Sequence, residues 1–227
     1  MVLTKREIAD VVRLYYDRRL EQTNFCGDSL AGKGGMDARM KDSFEKDLIE
    51  HCAPTLASLK TANLFCHTFS SEAEMQEIVG FWRECLNRKG LTLVLLRVRH
   101  LTALVYVCRM ENLRLDLSRD GVGCFLSAYG YDGVEPSFAV ERLKERIESE
   151  ADFGFPHEIG LFLGYPLADV VGFIENEGRN FKFAGLWKVY CNECETLRLF
   201  AKFEKCKNVY RRLWREGRSV LQLTVAV

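Results

Sequence analysis

No apolar run in this sequence approaches the roughly 20 residues that would cross a bilayer. The longest, Leu91 to Leu96, is stopped by Arg97 and Arg99. The N-terminus, MVLTKREIADVVRLYYDRR, lacks the apolar centre of a secretion signal, so the expected location is the cytoplasm. Neither sign of charge is in excess, because 32 Lys and Arg cancel 32 Asp and Glu. With 48% hydrophobic residues, that balance excludes a chain disordered overall. No internal repeat appears. Also missing are a second cysteine pair to match Cys191 and Cys194, and a second histidine to turn His157 and Glu158 into a metalloprotease helix.

What is present is ordinary in amount and informative in arrangement. The 227 residues suffice for one domain with a substantial core, or for one domain and a small N-terminal addition. The nine cysteines are odd in number and irregular in spacing, so free thiols are expected rather than a disulfide framework. Cys66, Cys85, Cys108 and Cys124 stand among apolar neighbours and read as small buried hydrophobes.

Along the chain, Thr4 and Glu7 have capping-box spacing ahead of Ile8, Val11, Val12 and Tyr15, which predicts an amphipathic helix. GDSLAGKGGMDAR, residues 27 to 39, reads as a connector, giving an N-terminal unit over 1–41 and one globular domain over 42–227. FEKDLIEHCAPTLASLK predicts a helix broken at Pro54 and a second one starting there. NLFCHTF predicts a buried strand. Ser71 and Glu74 cap a helix carrying Met75, Ile78, Val79, Trp82 and Leu86. LTLVLLRVRH and LTALVYVCR predict a β-hairpin with its break near Arg99 and His100. Helices follow to about residue 149, LWKVY reads as a short strand, and a long helix is expected over Glu195 to Arg215. The order implies an α/β or α+β fold, a small mixed sheet of about four strands with one hairpin, covered by a majority of helices.

Residues 155 to 175, FPHEIGLFLGYPLADVVGFIE, have the spacing of a helix-turn-helix through Gly160, Gly164, Val170 and Phe173. The second helix, however, offers Leu167, Ala168, Val171, Gly172 and Glu175 to a groove, a surface that repels phosphate, so a packed helical hairpin is expected instead of DNA reading. His157 and Glu158 follow Pro156 at a helix start. His51 and Cys52 precede Pro54, and a helix start there would favour the Cys52 thiolate. From Arg179 onward eleven Lys or Arg face four Glu, mostly on the final helix.

HCAPTL at 51–56, FPHEIGLFLGYP at 155–166, WKVY at 187–190 and the stretch from Cys206 to Tyr210 together resemble the bacterial domain-of-unknown-function family numbered 3793. The resemblance runs from about Asp42 to Val227 and implies a protein of anaerobic, mostly Gram-positive bacteria, encoded near flavodoxins or iron-handling proteins. The N-terminal helix and the Cys191–Cys194 pair depart from that pattern. Because the two motifs richest in titratable groups carry the resemblance, His51, Cys52, His157 and Glu158 are expected to meet. They would form the catalytic or binding groups of a small-ligand or redox/iron-linked cofactor site, with no metal ligands among them and the cofactor's identity open. The second reading is a non-catalytic interaction or regulatory module. In it the basic final helix, with Tyr210 and Trp214, docks an acidic partner such as a flavodoxin-like protein, and neither membrane nor nucleic acid is involved.

Overall fold

The computed structural model describes residues 36–149 and 155–226. The helix expected at Thr4 to Tyr15 and most of the connector fall outside these residues. The first described element is α1 (Met36–Leu56), so the end of the expected connector is already helical. There follow β1 (Ala62–Thr68), α2 (Glu72–Asn87), β2 (Thr92–Arg99), β3 (Thr102–Cys108), α3 (Met110–Leu117), α4 (Val122–Ser127) and α5 (Pro136–Glu148). The remainder is α6 (Ile159–Phe162), α7 (Leu167–Glu175), β4 (Phe183–Ala184), β5 (Lys188–Val189), α8 (Glu193–Arg215) and α9 (Val220–Leu223).

Among the described residues five strands form two sheets. β1, β3 and β2 pair antiparallel in that order, and β4 pairs with β5 in a separate two-stranded ribbon. The fold is α+β with helices dominating. β2 and β3 form the expected hairpin, turning on His100 and Leu101, both with positive φ. A bulge at Leu96 shifts the β2 register between Leu95 and Arg97.

Both faces of the larger sheet are covered, and this is why its strands read as apolar runs rather than as alternations. One face presents Phe65, Leu93, Ala103, Val105 and Val107 to α1, α2, α8 and α9. There Phe44, Leu48, Ile49, Cys52 and Leu56 form the inward stripe of α1, and Ile78, Val79, Trp82 and Leu86 that of α2. The other face presents Leu64, Val94, Leu96, Leu104, Tyr106 and Cys108 to α3 through α7. A smaller cluster of Trp187, Val189 and Phe203 joins the β4–β5 ribbon to α8.

Helix α2 begins where its sequence says it should, with the Ser71 hydroxyl accepting from the Glu74 N–H at 3.1 Å. Helix α1 departs from expectation, since it runs straight through Pro54 and ends at Leu56. A proline there forfeits only the bond to the Glu50 carbonyl, and the packing of Cys52, Ala53 and Leu56 holds the last turn. Residues 155–175 form a hairpin in which the first helix is a single turn. Ile159, Phe162 and Leu163 are buried as expected, and the chain reverses at Gly164, φ +77°. A Cβ on Gly160 would lie 2.7 Å from Val170, so glycine lets α6 and α7 touch.

The α1 C-terminus ends inside the molecule, and its last two carbonyls, each already holding one backbone N–H, gain a second donor from one side chain. Arg109, 1% exposed, directly follows β3. Its Nε donates to the Thr55 carbonyl at 2.8 Å, and its Nη2 donates to the carbonyls of Leu56 at 2.9 Å and Val225 at 2.7 Å. An ammonium cannot reproduce this planar fork. Arg109→Lys is therefore expected to lower unfolding free energy by about 2 kcal/mol through the loss of charge-assisted bonds to buried carbonyls. Urea denaturation checks this, and an unchanged midpoint would remove Arg109 from its role.

Candidate functional site

The four candidate residues are carried by two helices, α1 and the turn leading into α6, which cover opposite faces of the sheet. Cys52 belongs to the layer with Phe65 and Val105. Residue 158 caps α6, which is anchored on the other face by the Tyr106 hydroxyl donating to the Phe162 carbonyl at 2.7 Å. The expected meeting of the two motifs does not occur, because alternate residues of β1 and β3 point to different layers.

Each candidate is absorbed by packing. Cys52 is fully buried in the last turns of α1, close to the negative end of the helix dipole, so the thiolate-favouring helix start is corrected. Burial drives its thiol far above the usual range, with Lys60 pulling weakly down and Asp47 pushing up. His51 stacks on Phe65 with ring centroids 5.5 Å apart and planes at 8°. His157 meets the edge of Phe173 at 5.0 Å, and burial lowers its pKa against the opposing pull of Glu158. Glu158, 1% exposed, accepts from Arg146 Nε at 2.6 Å and from the Tyr131 hydroxyl at 3.1 Å. Arg146 also donates to the Tyr129 carbonyl at 3.0 Å, which ties α5 to the turn before it and to α6. Glu158→Gln removes the charge opposite a half-buried guanidinium, and a loss of about 3 kcal/mol in stability is expected by thermal or urea unfolding. A variant as stable as the parent would free Glu158 for another role.

Two buried polar groups were not visible in local sequence. Asp169, 2% exposed, takes four donors: Trp187 Nε1 at 2.8 Å, the Tyr190 N–H at 2.8 Å, the Cys191 N–H at 2.9 Å and the Cys191 thiol at 3.2 Å. It fixes the β4–β5 ribbon against α7. The only sequence signal was an aspartate inside the apolar run LADVVGF. Lys60, 8% exposed, donates to the Ala62 carbonyl and lies 5.3 Å from the Tyr165 ring centroid. Next to it the Thr61 hydroxyl donates to Asp116.

Burial pulls the Lys60 ammonium down to about 7, while Cys52 and Asp116 pull the other way. The unfolded chain keeps that proton to near the ordinary 10.5. Between these values unfolding takes up a proton, so the contribution of Lys60 to stability rises with pH across the window. Urea midpoints of the parent and Lys60→Met at about pH 7 and about pH 9 are expected to diverge, the parent gaining up to about 1.4 kcal/mol per unit relative to the variant. Parallel midpoints would mean that Lys60 stays charged.

The cysteine expectations divide. Cys108 is buried and Cys85 half-buried, but Cys124 and Cys66, the latter on the outer strand β1, are exposed. Cys206 packs inward, its thiol 3.6 Å from the Ala53 carbonyl. Among the described residues no helix is long and apolar enough to cross a membrane.

On α8, Lys207 and Arg211 turn inward to Glu50. Lys207 Nζ is 3.5 Å from the carboxylate, and Arg211 Nε donates to its oxygens at 2.8 and 2.9 Å. Burial alone would raise the Glu50 carboxyl, but the bonds and charge of Arg211, together with Lys207, bring it below its ordinary value. Tyr210 also faces inward, its hydroxyl donating to the Leu223 carbonyl at 2.7 Å, so it is not available to a partner. Outward, Arg198, Lys202, Lys205 and Arg212 are exposed and share one face at helical spacing. Among the described residues Arg198, Lys202 and Lys205 form no ion pair, and Arg212 has only Glu216 at 3.9 Å.

These elements define an α+β domain with a three-stranded antiparallel sheet enclosed between helical layers. The chain matches the family described as "Protein of unknown function (DUF3793)" over residues 48–224, and it belongs to that family. No curated protein and no solved structure matches it.

Proposed function

We propose that this is a non-catalytic interaction module of the bacterial cytoplasm, which presents the outer face of α8 to an acidic protein surface of the kind a flavodoxin-like protein carries. The observation behind this reading is the stripe Arg198–Lys202–Lys205–Arg212, exposed and almost free of internal carboxylates. It extends over about 21 Å of helix. Glu193, Glu195, Glu204 and Glu216 interrupt and flank the stripe, which suits a partner of mixed polarity with acidic patches and disfavours a continuous phosphate backbone. The reading as a small-ligand or redox/iron-linked enzyme loses support because His51, Cys52, His157 and Glu158 are divided between two layers and held in packing contacts.

The test is binding of an acidic flavodoxin-like protein and of a duplex DNA to the full chain, each at low and at physiological salt. The partner protein is expected to bind and to weaken about tenfold or more as salt rises. Charge reversal at Arg198, Lys202 and Lys205 together should abolish binding while leaving the circular dichroism spectrum unchanged. Salt-independent binding, or binding retained by the triple reversal, would sink the docking surface. Preferential retention of DNA would replace it with a nucleic-acid role.

A further inference from the structure

Cys191 and Cys194 flank the start of α8, on either side of Asn192, and their environments differ sharply. Cys194 is the second residue of the helix and is exposed, with Arg198 one turn further along on the same face. Cys191 is half-buried, and its thiol points to a carboxylate oxygen of buried Asp169 at 3.2 Å. We propose that Cys191 and Cys194 are a redox-active dithiol that exchanges with an anionic low-molecular-weight disulfide, Cys194 attacking and Cys191 resolving.

The spacing, with two residues between the thiols, is that of dithiols which close on themselves at helix starts. Access assigns the order, because exchange begins at the thiol a disulfide can reach in line. Arg198 supplies a cation one turn away for the carboxylates of a molecule such as oxidised glutathione. Burial, followed by the hydrogen bond and charge of Asp169, pushes the Cys191 thiol up to about 11, so this group holds its proton until a partner sulfur is in place. In the first step the Cys194 thiolate attacks one sulfur of the disulfide, forms a mixed disulfide and expels a thiolate, which takes a proton from water. In the second, the Cys191 thiol, held by its bond to Asp169, attacks Cys194 Sγ and forms the intramolecular bond, while its proton passes to the second thiolate as that thiolate leaves. The chain loses two electrons and two hydrogens, and the small disulfide becomes two thiols.

The experiment equilibrates the full chain with oxidised and reduced glutathione, followed by acid quenching and peptide mass mapping. The peptide holding both cysteines is expected to lose two hydrogens and to carry no glutathione, whereas the exposed controls Cys66 and Cys124 take up glutathione only. Cys191→Ser should leave glutathione stably attached at Cys194. Cys194→Ser should abolish the bridge and leave Cys191 about tenfold or more slower to react. Asp169→Asn, checked for folding by circular dichroism, should let the mixed disulfide accumulate in time courses; the two serine variants decide the question if that chain does not fold. Glutathione persisting on Cys194 of the parent chain, a bridge forming between other cysteines, or no oxidation of this pair would each overturn the proposal.

Discussion

A helix that ends inside a protein leaves carbonyls that must find donors, and in this fold a buried guanidinium joins the N–H groups of the following turn and of the tail in supplying them. Arg109 follows the central strand β3, whose two flanks are occupied by β1 and β2. Its own N–H donates to the Thr61 carbonyl at 3.0 Å, its fork reaches the last turn of α1, and the same fork holds the carbonyl of Val225. The Val225 N–H returns to the Leu56 carbonyl at 3.0 Å, so the tail after α9 closes the ring of bonds. Sheet, first helix and tail therefore meet at one planar cation, and its partners are carbonyl oxygens. Lys60, from the turn that follows α1, is buried in the same manner against the Ala62 carbonyl. The region around the end of α1 is accordingly lined by donors whose partners are carbonyl oxygens.

The periodic parts of this architecture were legible. The stripe of Ile78, Val79, Trp82 and Leu86, with Ser71 ahead of it, gave α2 its start and its buried face, and the two aliphatic runs around His100 gave the hairpin. Pro54 misled because proline marks helix starts and helix ends with equal force. Only the packing of Cys52 and Leu56 against the sheet decides between them. The site was legible in residue type and not in place. Which helix covers which face is set by long-range packing, and nothing local to HCAPTL or FPHEIG records that a sheet lies between them. Asp169 escaped notice for a related reason, since its four donors come from residues 187 to 191, 18 to 22 positions away. Cys66 and Cys124 show the limit of neighbour-based reading, since both are exposed among apolar neighbours in sequence, Cys66 on an outer strand of the sheet.

Titratable groups in this molecule thus divide by depth. Those that look chemical in sequence, His51, Cys52, His157 and Glu158, fill space or neutralise a neighbour. Those that read as an ordinary solvated helix, Arg198 through Arg212, form the part of the surface with a definite sign and direction. The buried and half-buried carboxylates serve geometry: Glu50 fastens α8 to α1, Glu158 fastens α5 to α6, and Asp169 fastens the small ribbon to α7.

The partnership of α1 with α8 has a kinetic side. The thiol of Cys206 rests on a carbonyl 153 positions earlier, and Glu45 accepts the N–H of Val220 across 175 positions. Residues 36–108 supply α1 and α2 to this face of the sheet, but the outer side of α1 stays open until α8 and α9 arrive, so the entropy of closing a very long loop must be met before the layer is complete. The outer part of this layer is correspondingly slow to assemble. Once closed, the same topology resists opening from either helix alone, because loosening α1 releases the sheet face and α8 together.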